Sequence, residues 1–120
     1  MGTHAILGIK YPGGRVDGCY VHYDGGTMIP RIKDFISKNT TTGLAVLIAK
    51  AQTTGGIRSF YVRPYDRVHG EPDCPPETEF LEDDNPYVID TENWKDDHFG
   101  TAYEYLVDYE TATIHQQSRY

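Results

Sequence analysis

The residues best suited to chemistry are gathered in Gly18-Cys19-Tyr20-Val21-His22-Tyr23-Asp24-Gly25-Gly26-Thr27. His22 and Asp24 lie two apart, so an extended chain places the imidazole and the carboxylate on one face. Such a pair can act as a base with the group that orients it, or as two metal ligands. Spacing specifies no third partner, although His4 can approach across a hairpin if its strand pairs with this one. The plainer alternative is a polar pair on a half-buried surface. Cys19 precedes His22 by three residues and points to the opposite face of a strand, so the two make no dyad. Asp97-His98 is a second pairing, and there His98 most simply balances the acids around it. The turn Asp24-Gly25-Gly26-Thr27 precedes an expected helix. With Tyr20 and His22 it forms a candidate site for a small ligand, a nucleotide or signalling molecule, at a helix N-terminus. The glycines can equally serve only to turn the chain. No Gly-Lys-Ser or Gly-Lys-Thr, dinucleotide fingerprint, nucleophile elbow, His-Glu-x-x-His or Cys-x-x-Cys is present. A hydrolase using His22, Asp24 and His98 is therefore the least favoured function, and no cofactor or metal is expected.

The elements that must position these groups follow from periodicity. Ala5, Leu7 and Ile9 alternate with His4, Ile6 and Lys10, which predicts a strand with one core face. Pro12-Gly13-Gly14 predicts a turn, and a second strand over about Val16 to Tyr23 completes a hairpin. Thr27 is a candidate N-cap and Pro30 is tolerated in a first turn. Ile29, Ile32, Phe35 and Ile36 fall on one helical stripe, with Arg31, Lys33, Asp34 and Lys38 left for water. Asn39 and Thr40 to Thr42 are expected to stop this helix and cap another. That second helix, over Leu44 to Ala49, is apolar on every side and so expected to be mostly buried; a buried strand is the alternative. Ile57 to Val62 reads as a strand ended by Pro64, with Arg58, Phe60 and Val62 on one face. Residues 66–98 read as a long acidic loop, with a short strand near Tyr87 to Ile89. Tyr103, Tyr105, Val107 and Tyr109 alternate with Glu104, Leu106 and Asp108, and Ala112 to Gln116 is expected to return antiparallel after a turn at Glu110-Thr111. The expected fold is one α+β domain over residues 1–120: an antiparallel β-sheet with two helices packed on one face.

Charge is sorted along the chain. Residues 1–70 carry nine Lys or Arg against four acids, a balance of +5, and residues 71–110 carry fourteen acids against Lys95. The total of −7 disfavours nucleic acid as a direct partner. Cys19 and Cys74 are too far apart, and too different in setting, to read as a disulfide framework or metal knuckle, which predicts free thiols in a reducing cytoplasm. No signal peptide or membrane-spanning run is read from the sequence. An acidic segment of this density is either a solvated loop, a cover for the chain's own Arg58, Arg63 and Arg67, or a docking surface for a basic partner that imitates a row of phosphates. The docking residues would be Glu79, Glu82, Asp83, Asp84, Asp96 and Asp97, with Trp94, Tyr87 and Phe99 as aromatic anchors or else as local core. A homodimer is a further option.

Met1-Gly2-Thr3-His4, the Pro-Gly-Gly turn, Cys19-Tyr20-Val21-His22-Tyr23-Asp24-Gly25 and Tyr103-Glu104-Tyr105-Leu106-Val107-Asp108-Tyr109 together resemble a family of small, uncharacterised bacteriophage accessory proteins. Its members open Met-Gly-Thr-Arg, have a strand ending His-Trp-Asp-Gly-Tyr and close with a Tyr-rich hairpin. This chain has His4 for the Arg, Tyr23 for the Trp, and Gly26 where Tyr-Pro is usual. The match covers the first quarter and about the last fifth; the acidic middle has no counterpart. The resemblance implies a non-enzymatic protein acting inside an infected cell. Its expected role is to bind and inhibit or redirect a basic host protein, a nucleic-acid-binding enzyme or a defence factor.

Overall fold

The computed structural model describes residues 4–22, 26, 28–59, 79–81, 88–94, 101 and 103–118. Seven strands and one helix are found there: β1 (Ala5–Lys10), β2 (Val16–Val21), α1 (Met28–Thr54), β3 (Ile57–Ser59), β4 (Glu79–Phe80), β5 (Ile89–Asp90), β6 (Tyr103–Asp108) and β7 (Ile114–Ser118). They form one sheet in the order β4-β3-β2-β1-β6-β7, with β5 pairing the Asp17–Gly18 end of β2. No helix among the described residues is long and apolar enough to cross a membrane.

The α+β class holds, but the sheet is mixed and not purely antiparallel. β1 and β2 form the expected hairpin, turning through Gly13 (φ 95°) and Gly14 (φ 94°), and β6 and β7 form another. Between them, β1 runs parallel to β6, and β2 runs parallel to β3. The reason lies in the connections. Strands joined by a tight turn are antiparallel, whereas a parallel partner needs a long crossover connection, commonly a helix. The β2–α1–β3 crossover is such a unit.

The expected pair of helices is one element bent at Thr40, whose φ of 63° and ψ of 175° are not helical. Thr41 Oγ1 donates to the Tyr109 carbonyl (2.8 Å) and Thr42 Oγ1 bonds the Tyr109 hydroxyl (2.9 Å), which ties the bend to the end of β6. Leu44 to Ala49 is helical, as expected, but buried on one stripe only. Leu44 and Ile48 are fully buried, whereas Val46 is 66 % exposed, because the sheet covers a single side of α1. Backbone of Thr40's kind is nearly confined to glycine and costs a β-branched residue about 1–3 kcal/mol. Thr40→Gly is therefore expected to raise unfolding stability by about 1 kcal/mol after glycine's larger unfolded-state entropy is counted, read from urea denaturation.

Alternation gives the sheet two different faces. Ala5, Leu7, Ile9, Cys19, Val21, Ile57, Tyr105 and Val107 point toward α1 and bury Met28, Ile32, Leu44, Ile48 and Ala51. On the other face a smaller cluster joins Ile6, Val16, Ile89 and Trp94, with Leu106 against it. Trp94 sits on Gly8 and Gly18, which are register partners: a Cβ built on Gly8 would meet the indole at 2.3 Å, and one on Gly18 at 2.8 Å. The turn carrying Trp94 is fastened by the Val16 N–H, which donates to Thr91 Oγ1 at 2.7 Å, and Gln52 Nε2 lies 2.8 Å from the Gly18 carbonyl of β2 and 3.4 Å from the Ile89 carbonyl of β5.

Candidate functional site

The end of the sheet where β2 runs out collects the polar groups of the second face. Tyr20 occupies the same rung as Ile6 of β1 and Glu104 of β6. Its hydroxyl bonds His22 Nδ1 at 2.8 Å and also bonds His4 Nδ1. The two imidazoles lie with ring centroids 4.7 Å apart. His4 is thus the third member that spacing alone left unspecified, and it arrives by the hairpin register that pairs Ala5 with Val21.

Arg58 lies close to this cluster, and Glu104 shares its sheet face. His22 N–H donates to the Ile57 carbonyl (2.8 Å), which seats β3 beside it. Arg58, the next residue, is exposed and near enough to His22 for its charge to act on the imidazole. Glu104 is 7 % exposed on that face. Sequence reasoning listed Arg58 only as a possible counterpart of the acids. The Ile57-Arg58-Ser59 alternation was visible, but the parallel β2–β3 pairing that brings Arg58 to His22 was not.

The electrostatics follow from these neighbours. Burial is the largest cause holding His22 below the ordinary imidazole range, followed by repulsion from His4 and Arg58. In the unfolded chain it returns to about 6.5. The unfolded state then binds more protons just below that value, so stability falls as the pH drops from about 6.5 through the folded-state value. Urea midpoints measured between pH 7.5 and 5 are expected to decline, and to decline less in His22→Gln. On the opposite face Cys19 is fully buried and burial raises its pKa, so it is no partner to His22. Tyr105 is raised by burial and hydrogen-bonded to the Met28 backbone at the start of α1.

Of the other sequence-selected residues, Gly26 lies just before α1, whereas Asp24, Gly25 and Thr27 are outside the described residues. Glu79 lies in β4; Glu82, Asp83, Asp84, Asp96, Asp97 and His98 are also outside. Trp94, considered as an anchor for a partner, is 9 % exposed and spends its ring on the second cluster, the local-core alternative. Asp90 and Glu92 are exposed, and the Asp90 carboxylate accepts from the Glu92 and Asn93 N–H groups at 3.1 Å. No group of three metal-ligating side chains occurs among the described residues.

No family model, curated protein or solved structure matches this chain.

Proposed function

We propose that this protein binds a small anionic ligand, a nucleotide or signalling molecule, at the end of β2. The observation that carries the proposal is the convergence of His4, Tyr20 and His22 at the end of β2, with the Arg58 charge beside them, shortly before α1 begins. Imidazoles and a guanidinium supply N–H donors and positive charge, the groups an oxyanion needs. The end of a strand that leads into a crossover helix is also a common place for ligands in α/β units. Nothing in the proposal requires a reaction, and sequestration of the ligand is a sufficient role. Native mass spectrometry of protein purified from cells tests it. A retained small mass that disappears in the Tyr20→Phe, His22→Asn double variant supports the proposal, and a clean apo mass with no binding to a nucleotide panel refutes it.

The sorting of charge favours a second reading. Fourteen acids against one base in residues 71–110 form a segment able to attract a basic protein. With the resemblance to phage accessory proteins, this reading is a host-directed binder or inhibitor. Capture of a partner from host lysate should then weaken at high salt and on changing Glu82, Asp83, Asp84, Asp96 and Asp97 to amides. Capture indifferent to both would remove it.

A further inference from the structure

We propose that the His4–Tyr20–His22 cluster takes up one proton when it binds a phosphate group, so that both imidazoles hold the anion as donors; this rests on the small-anion reading above. The argument is one of proton accounting. The Tyr20 hydroxyl bonds the Nδ1 of both rings but carries a single proton. At most one Nδ1 can receive it. The other ring must keep its own proton on Nδ1 and donate to the Tyr20 oxygen. A neutral imidazole protonated at Nδ1 has a lone pair at Nε2, which would repel an anion. Adding a proton there turns the lone pair into a charged donor, and charge-assisted hydrogen bonds to phosphate are among the stronger ones. The proton comes from solvent, and no covalent bond of protein or ligand is made or broken.

The surroundings set when this happens. Among the described residues, the charged and titratable groups around the cluster are His4 from the segment before β1, Tyr20 and His22 from β2 and its end, Arg58 from β3, and Glu104 from β6. Burial, followed by repulsion from His4 and Arg58, disfavours a proton on His22 while no anion is present. A bound dianion opposes that repulsion and favours the one added proton. A phosphate group suits the site better than a carboxylate. It brings more acceptor oxygens and a second negative charge to offset two imidazoles and a guanidinium.

Ring-nitrogen NMR of the full chain tests the accounting directly. Without ligand, at least one of His4 and His22 is expected in the Nδ1–H form, and Tyr20→Phe should return it to the Nε2–H form. Both rings in the Nε2–H form in the unmodified protein would overturn the proposal. Calorimetry then tests the linkage. Sulfate keeps the same charge from pH 5 to 8, so protons taken up on binding it belong to the protein. Uptake of about one proton per sulfate is expected, with affinity rising up to about tenfold per unit fall in pH. His4→Asn and His22→Asn, each checked for folding by circular dichroism, should lose that dependence. Inorganic phosphate and adenosine monophosphate, run as separate arms, distinguish free phosphate from a nucleotide. Anion binding without proton uptake would overturn this inference and leave the small-anion reading standing. If none of these anions binds, the phosphate assignment falls, and the native mass spectrum decides whether the broader reading falls with it.

Discussion

Trp94→Ala is expected to remove about 3–5 kcal/mol of unfolding stability, the usual cost of truncating a large buried aromatic. Three features put it at the upper end. The indole is 9 % exposed and is the largest side chain of its cluster. It rests on two glycines, Gly8 and Gly18, which have no side chains to fill the space it would leave. Those glycines are held in register by the β1–β2 ladder, so the backbone cannot collapse into the void. Urea denaturation, with the slope compared between variants, measures the loss; a change below about 1 kcal/mol would show that the second cluster is not a core. The same contact predicts a coupling. Gly8→Ala alone puts a methyl 2.3 Å from the ring and should be costly, whereas in the Trp94→Ala background it should cost far less.

The second large effect is expected at Gly56. A Cβ there would lie 2.5 Å from the Tyr20 carbonyl oxygen and 3.1 Å from the Tyr20 Cβ, and its φ of 133° is unfavourable for any other residue. The obstructing atom is backbone of a central strand and cannot swing aside. Strain and overpacking together make Gly56→Ala cost about 3 kcal/mol or more. Gly13→Ala is the control. It shares a positive φ (95°) but meets nothing within 4 Å, so it should cost only about 1 kcal/mol. Because Gly56 abuts the residue that joins the two imidazoles, its substitution should also shift the His4 and His22 ring signals, while Gly13→Ala leaves them in place. Equal costs for the two variants would show that the close approach to Tyr20 carries no weight.

Much of this architecture was legible because it is local. Alternation in Ala5-Ile6-Leu7-Gly8-Ile9 gave a strand with Ala5, Leu7 and Ile9 toward the core, alternation in Tyr103 to Asp108 gave another strand, and Gly13-Gly14 gave the first hairpin. The mixed character of the sheet was not legible. Neither the β1–β6 nor the β2–β3 pairing leaves a mark in the spacing of its own residues; both depend on where a crossover sets the chain down. Arg58 was missed as a neighbour of His22 for that reason. Val46 misled because an unbroken apolar run does not reveal that only one side of its helix has a neighbour. Within the site, Tyr20 and His22 were visible as a same-face pair two residues apart, and His4 as a residue able to cross the hairpin. The shared hydroxyl was not, since it depends on side-chain rotamers that spacing does not specify.

The place of β1 in the sheet has a kinetic consequence. It is flanked by β2 on one side and β6 on the other, with Ala5 paired to both Val21 and Tyr103. During synthesis the hairpin can close early, but the other side of β1 stays open until residues 103–108 have left the ribosome. Contacts of such long sequence separation slow folding and leave an unsatisfied strand available to other chains meanwhile. For this protein, the rate of production should therefore matter as much to soluble yield as the stability of the finished fold.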